Sequence, residues 1–206
     1  MATDPTQPRP FEEYYSEAMD AKWWPGADRS DLRPRVLLEI AGNMLRRTRG
    51  GKTVLLEHLW PQLDKVVVID VRLSETARHA DIVLPAAHSY EKVGFGMPTP
   101  WTMILGLSDK AVEPAGEALG EWEILTGVLA AMERLAASRG VESYTDSTGA
   151  VRRFEELVGQ FTFGGALRDE ADLANEMIRG AELVGNLPQG TTLETLRNHG
   201  WTRFSD

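Results

Sequence analysis

The stretch that decides the fold begins at Val36-Leu37-Leu38-Glu39-Ile40-Ala41-Gly42-Asn43, continues through Val66-Val67-Val68-Ile69-Asp70 and closes at Ile82-Val83-Leu84-Pro85. Each of the three runs is short, apolar and rich in branched side chains, the pattern of a strand buried in a parallel sheet. Between the first and second runs, residues 53–63 place Leu55, Leu56, Leu59 and Trp60 on one face of a helix, with Pro61 forcing a stop or kink near its end. Between the second and third, residues 74–79 suit a shorter helix. Strand, helix, strand, helix, strand predicts a parallel sheet with right-handed crossovers. Unbroken apolar runs predict that both faces of that sheet are covered. Ligands of such sheets bind outside the carboxyl ends of the strands. Those ends are Ala41-Gly42-Asn43, Asp70-Val71-Arg72 and Leu84-Pro85-Ala86.

Outward from this unit the texture changes. Residues 1–34 are polar and interrupted by Pro5, Pro8, Pro10, Pro25 and Pro34, and read as an irregular lead-in with a short helix over 11–24. Residues 35–92 form the α/β cofactor-binding unit. Residues 93–140 read as a loop marked by Gly94, Gly96, Pro98 and Pro100, a strand over 101–107 and an amphipathic helix over 121–137. That helix turns Trp122, Ile124, Leu125, Val128, Leu129, Met132 and Leu135 inward. Residues 141–206 read as a mainly helical extension, with helices over 154–160 and 170–183, a helix start at Thr191-Thr192-Leu193-Glu194 and a stop at Gly200. The expected class is α/β: a parallel Rossmann-like sheet flanked by helices, with a mainly helical C-terminal extension.

Composition narrows the chemistry. With 22 basic and 31 acidic residues among 206, the formal charge is −9, which argues against nucleic acid as a main partner. The chain has no cysteine, so it supplies no disulfide, no thiolate metal site and no iron–sulfur ligand. No apolar run reaches the ~18 residues that span a bilayer, and the first residues lack the pattern of a signal peptide.

Several residues at the strand ends suit a nucleotide. Gly42 lets a ligand approach the backbone, and Asn43 tolerates a tight turn while offering an amide; an ordinary strand-to-loop turn accounts for the pair equally well. Leu45 stands where the second glycine of G-x-G-x-x-G would fall, so this is not that fingerprint. Arg46, Arg47, Arg49 and Lys52 form a basic cluster in an acidic protein and would suit phosphate oxygens, with a solvated loop as the plainer reading. Asp70 ends the second strand, where a carboxylate can accept from a ribose hydroxyl or simply close a turn. Asp81 and His79 flank the third strand, where structural capping is favoured over catalysis. His58, His88 and His199 show no metal-ligand spacing, and neither a serine nucleophile elbow nor a P-loop is present.

Val67-Val68-Ile69-Asp70, the run from Ser74 through Thr76, Asp81 and Leu84-Pro85 to Ala87, and Tyr90-Glu91-Lys92 together resemble a signature of the molybdopterin oxidoreductases of the dimethyl sulfoxide reductase family. Ile40-Ala41-Gly42-Asn43 resembles that family's strand-to-turn segment, and Lys110-Ala111-Val112-Glu113-Pro114 with Glu121-Trp122-Glu123-Ile124-Leu125 resembles its continuation. Arg46-Arg47 and the tail from Thr191 to Gly200 resemble the subgroup of ethylbenzene, dimethyl sulfide and steroid dehydrogenases with selenate and chlorate reductases. The resemblance implies a molybdopterin guanine dinucleotide cofactor carrying molybdenum. It implies that Gly42 and Asn43 approach phosphates or pterin, that Asp70 meets the guanosine portion, and that Thr76, Asp81 and Arg46 contribute.

The same resemblance implies an incomplete catalytic unit. The family's cysteine cluster, the segment bearing the aspartate ligand to molybdenum and the domain closing over the dinucleotides have no counterpart here. Expected partners are the remaining segments of the catalytic subunit and an iron–sulfur electron-transfer subunit, and the resemblance implies a periplasmic complex. Two further readings stay open from the residues alone. One is a non-catalytic module that binds or assembles a nucleotide cofactor. The other is a different nucleotide-binding α/β domain, such as the middle domain of a thiamine-diphosphate enzyme, against which the long signature weighs.

Overall fold

The computed structural model describes residues 8–21, 23, 33–96, 102–146 and 148–205. Three strands, β1 (Val36–Ile40), β2 (Lys65–Asp70) and β3 (Ile82–Pro85), form a parallel sheet in the order β1-β2-β3. The register pairs Ile40 with Ile69 and Ile69 with Leu84, so the carboxyl ends of all three strands lie along one edge. That edge carries Ala41-Gly42-Asn43 and the residues following Asp70 and Pro85.

One face of the sheet packs as its sequence predicts. Val66, Val68 and Ala77 form a buried cluster sealed by Leu37, Trp60, Leu63 and Ala80. The segment supplying Trp60 differs from expectation. Residues 53–63 are not an α-helix: Gly51–Leu59 winds as a π-helix and Trp60–Gln62 as a 3-10 turn with Pro61 inside it. Proline lacks the N–H that a continued α-helix needs, which accounts for the break at Pro61. The Trp60 indole N–H donates to the His79 carbonyl at 2.9 Å, tying this crossover to the end of α3 (Glu75–Arg78).

The opposite face is only partly covered, contrary to the expectation from unbroken apolar runs. Helix α4 (Glu121–Ser138) lays Ile124 and Leu125 over Ile69, Leu84 and Ala86. Val36, Leu38 and Ile40 on β1 and Ile82 on β3 remain exposed. So do Val128, Met132 and Leu135, which the amphipathic pattern of α4 placed inside. The pattern marks which residues are apolar; it does not say whether the element that would cover them lies among these residues.

A second, antiparallel sheet joins β4 (Gly94–Gly96), β5 (Ile104–Ser108) and β8 (Trp201–Arg203). Residues 141–206 therefore supply more than helices. They hold a hairpin of β6 (Ser143–Thr145) with β7 (Val151–Arg153), then α5 (Leu157–Phe161), α6 (Glu170–Leu183) and α7 (Leu193–His199), before β8 pairs with β5. Leu105, Ala174, Ile178, Leu187, Leu193 and Leu196 form the shared core. The helix start read at Thr191-Thr192 is present: the Thr192 hydroxyl accepts from Thr195 N–H at 3.1 Å, and Gly200 ends α7 at φ +81°. Among the described residues, no helix is long and apolar enough to cross a membrane.

Candidate cofactor-binding edge

The carboxyl edge of the parallel sheet is built around a buried threonine. Thr76, on α3, is fully buried. Its hydroxyl accepts from Leu45 N–H at 3.2 Å and donates to Asn43 Oδ1 at 3.4 Å, and its own N–H lies 3.4 Å from the same oxygen. Thr76 therefore fixes the turn after β1 against the turn after β2. Its reach is spent inside the protein, so it positions Asn43 rather than facing a ligand.

Replacing Thr76 by valine keeps the shape and removes both hydroxyl interactions. Leaving Leu45 N–H without a partner is expected to cost about 2 kcal/mol and to lower the unfolding midpoint by roughly 4–8 °C. Calorimetry of the purified chain checks this; an unchanged midpoint would show that the hydroxyl holds nothing.

Gly42 has a local reason as well. A Cβ there would sit 2.1 Å from Glu39 Oε1, because the Glu39 side chain folds over the turn and accepts from Met44 N–H at 2.8 Å. Glu39 lies on the same face of β1 as Leu37, only 9% exposed, and its second oxygen is buried without a hydrogen-bond partner among the described residues. Asp70, at the end of β2, is equally buried and its carboxylate has no side-chain partner among the described residues. Register puts Glu39 beside Val68, so the two acids share a sheet face close to its carboxyl edge. Ala41, immediately before Gly42, holds φ +54°, an uncommon conformation for a side chain with a Cβ.

Beside this turn opens a cleft of about 480 Å³ lined by Asn43, Arg46, Lys52, Arg72, Ser74, Glu75 and Arg78, with Leu73. Four basic groups face one carboxylate. Lys52 pairs with Glu75 at 2.6 Å, which holds the Glu75 carboxyl below its ordinary range. Arg46 and Arg72 are exposed and make no ion pair with any described residue. An uncompensated guanidinium pair at a strand-end cleft is suited to a bidentate grip on phosphate oxygens.

The residues named from sequence divide accordingly. Asn43 and Arg46 line the cleft, Gly42 precedes Asn43 in the turn without lining it, and Thr76 is buried behind Asn43. Asp70 lies at the same edge of the sheet. Asp81 does not join them: it stands at the amino end of β3, where its carboxylate accepts from Val66 N–H at 2.7 Å and lies 3.8 Å from Lys65. Its chemistry is consumed in holding β2 to β3. Arg47 and Arg49 do not line the cleft, whereas Arg72 and Arg78 do. Arg78 carried no sequence signal for this role. Glu39 carried one in retrospect, as the one charged residue inside an apolar strand. No group of three or more His, Asp or Glu residues able to hold a metal occurs among the described residues.

Residues 44–131 match the family model described as molybdopterin oxidoreductase. The perchlorate reductase alpha subunit of Dechloromonas aromatica is 32% identical over 187 residues, covering 90% of this chain and 20% of that protein. The dimethylsulfide dehydrogenase alpha subunit of Rhodovulum sulfidophilum is 28% identical over 177 residues, covering 85% of this chain and 19% of that protein. Acetylene hydratase from Pelobacter acetylenicus shares the fold at a TM-score of 0.53 and 22% identity, covering 83% of this chain and 18% of that one. The chain thus spans about a fifth of the length of these relatives.

Proposed function

Residues 44–131 are a molybdopterin oxidoreductase domain, and from that premise we propose that this chain binds one molybdopterin guanine dinucleotide along the carboxyl edge of its parallel sheet. The observation that carries the proposal is the cleft beside Asn43, where Arg46 and Arg72 stand without ion-pair partners among the described residues in a chain of net charge −9. Phosphate oxygens of the dinucleotide would rest on Arg46 and Arg72, with Arg78 adding field and Asn43 offering its amide. A buried acceptor fits the rest of such a ligand: Glu39 Oε2 lacks a donor among the described residues, Asp70 stands at the same edge, and guanosine and pterin are rich in N–H and O–H groups. The molybdenum that the pterin carries supplies two-electron redox chemistry when bound. This chain's residues bind and orient; none of them is assigned a role at the metal.

Activity is proposed to belong to a larger catalytic subunit of which these residues form the nucleotide-gripping part. The exposed apolar face of Val36, Leu38, Ile40 and Ile82 supports that reading, because parallel sheets are ordinarily covered on both faces. The further partners proposed are the remaining segments of that subunit and an iron–sulfur electron-transfer subunit; the relatives' names, each a subunit alpha, imply companion subunits for those proteins. The domain match and the wide span of similarity support this over a standalone assembly module.

Guanosine diphosphate serves as a probe carrying the guanosine and pyrophosphate of the cofactor. Titrated into the full chain and followed by amide chemical shifts, it is expected to bind with Kd near ~1 mM or tighter and to perturb Asn43, Arg46, Arg72 and Ser74. Guanosine should bind at least ~10-fold more weakly, since the phosphates carry the grip. No perturbation at this edge, or equal binding of guanosine, would overturn the proposal.

A further inference from the structure

We propose that the cavity between β4, α4, α5 and α6 binds a small molecule with a flat apolar body and a single cationic head. The cavity measures about 770 Å³, within the range of small-ligand sites. Most of its wall is apolar. Trp122 stacks on Phe161 with ring centroids 4.6 Å apart and planes 20° from parallel, and Phe95, Leu125 and Met177 complete the surface. A flat ring can lie against such walls in offset or edge-on contact.

The polar end is charged and its groups are held in place. Lys92 is ion-paired with Glu121. The Glu170 carboxylate receives the Trp122 backbone N–H and crowds Gly120 so closely that a Cβ there would lie 2.1 Å from its Oε1. Glu123 accepts from Gly120 N–H at 3.2 Å. Two carboxylates, Glu121 and Glu170, therefore meet one ammonium in the cavity wall at the start of α4, with Glu123 behind them on Gly120, and the helix dipole offsets only about half a charge. Burial pushes the Glu170 carboxyl up, Glu121 and Glu123 push the same way, and Lys92 opposes them. A cation entering the cavity relieves that excess; an anion adds to it.

The mouth of the cavity is aromatic as well. Phe163 lines the cavity, is 75% exposed and holds φ +52°, and it is followed by Gly164 at +71° and Gly165 at +87°. The positive φ belongs to the turn that closes α5, where Gly164 N–H donates to the Gly159 carbonyl at 2.7 Å. That turn leaves an aromatic ring exposed at the cavity entrance.

Three probes share an indole body and differ in charge: tryptamine, 3-methylindole and indole-3-propionate. In ligand-observed NMR with the full chain at neutral pH, tryptamine is expected to bind roughly tenfold tighter than indole-3-propionate, with 3-methylindole between them. Glu170→Gln keeps an acceptor for Trp122 N–H and is expected to bring tryptamine down to the level of 3-methylindole. Met177→Arg, at an exposed position of the wall, is expected to abolish binding of all three while circular dichroism shows a folded chain. Equal affinity for the three probes, no binding up to ~10 mM, or tryptamine binding that survives both variants would overturn the proposal. So would sedimentation showing self-association that Met177→Arg abolishes, because the cavity would then be closed by a second copy.

Discussion

Replacing Gly51 by alanine is expected to lower the unfolding midpoint of the chain by roughly 6–12 °C, corresponding to about 3 kcal/mol. Gly51 opens the π-helix and is buried against α2 (Met44–Arg47). A Cβ there would lie 2.3 Å from the Leu45 carbonyl oxygen, 2.7 Å from its carbon and 2.9 Å from its Cα. All three are backbone atoms, so no rotamer change can relieve the overlap. The π-helix or α2 must move as a body, and α2 carries Arg46 and is anchored by Thr76 through Leu45 N–H. The same variant should therefore also weaken binding of guanosine diphosphate. Gly127→Ala is the matched control with the opposite sign. Gly127 lies inside α4 with nothing within 4 Å of an added Cβ, so alanine there is expected to stabilise by up to about 1 kcal/mol through helix propensity. Thermal melts of the two variants side by side test the argument. Equal midpoints would mean that the close approach at Gly51 is not maintained in solution.

Charge reversal at Arg46 and Arg72 together is expected to reduce affinity for guanosine diphosphate by about 100-fold or more, which for a weak probe means loss of measurable binding. Each guanidinium that forks onto phosphate is taken as worth about 1.5 kcal/mol, close to tenfold in Kd. Both side chains are exposed and neither has an ion-pair partner among the described residues, so their reversal should leave the unfolding midpoint nearly unchanged. That separation of binding from stability distinguishes them from Gly51, whose variant is expected to disturb both. Arg47→Glu, a neighbour on α2 that does not line the cleft, is expected to keep at least about half of the wild-type affinity. If Arg47→Glu and the double variant weakened binding equally, the effect would be a general field of the basic stretch rather than a grip at the cleft.

How much of this was legible in the sequence differs by element. The three strands, their order along the chain and the turn at Gly42-Asn43 follow from apolar runs ending in turn residues, and the sheet has them where they are expected. The capped start of α7 follows equally from Thr192 and Gly200. These are local signals, carried by neighbouring residues and backbone preferences. The crossover after α2 was not legible in detail. An α-helix and a π-helix show much the same apolar residues over nine positions, and nothing in the chain separates Gly50, which needs positive φ, from Gly51, which needs empty space beside Leu45.

The sequence by itself determined the α/β class, the family signature around Thr76 and the turn residues at the carboxyl edge of the sheet. Each rests on short-range pattern, and the same atoms produce it in any copy of that local fold. Only the tertiary structure decided which charges count. It took Asp81 to the amino end of the sheet and spent it on Val66 N–H, and turned Thr76 inward as a support for Asn43. It replaced Arg47 and Arg49 at the cleft by Arg72 and Arg78, and left Glu39 Oε2 buried without a donor among the described residues. Side-chain partnership depends on distances between residues some thirty positions apart, such as Asn43 and Thr76. Those distances come into being only when the strands pair.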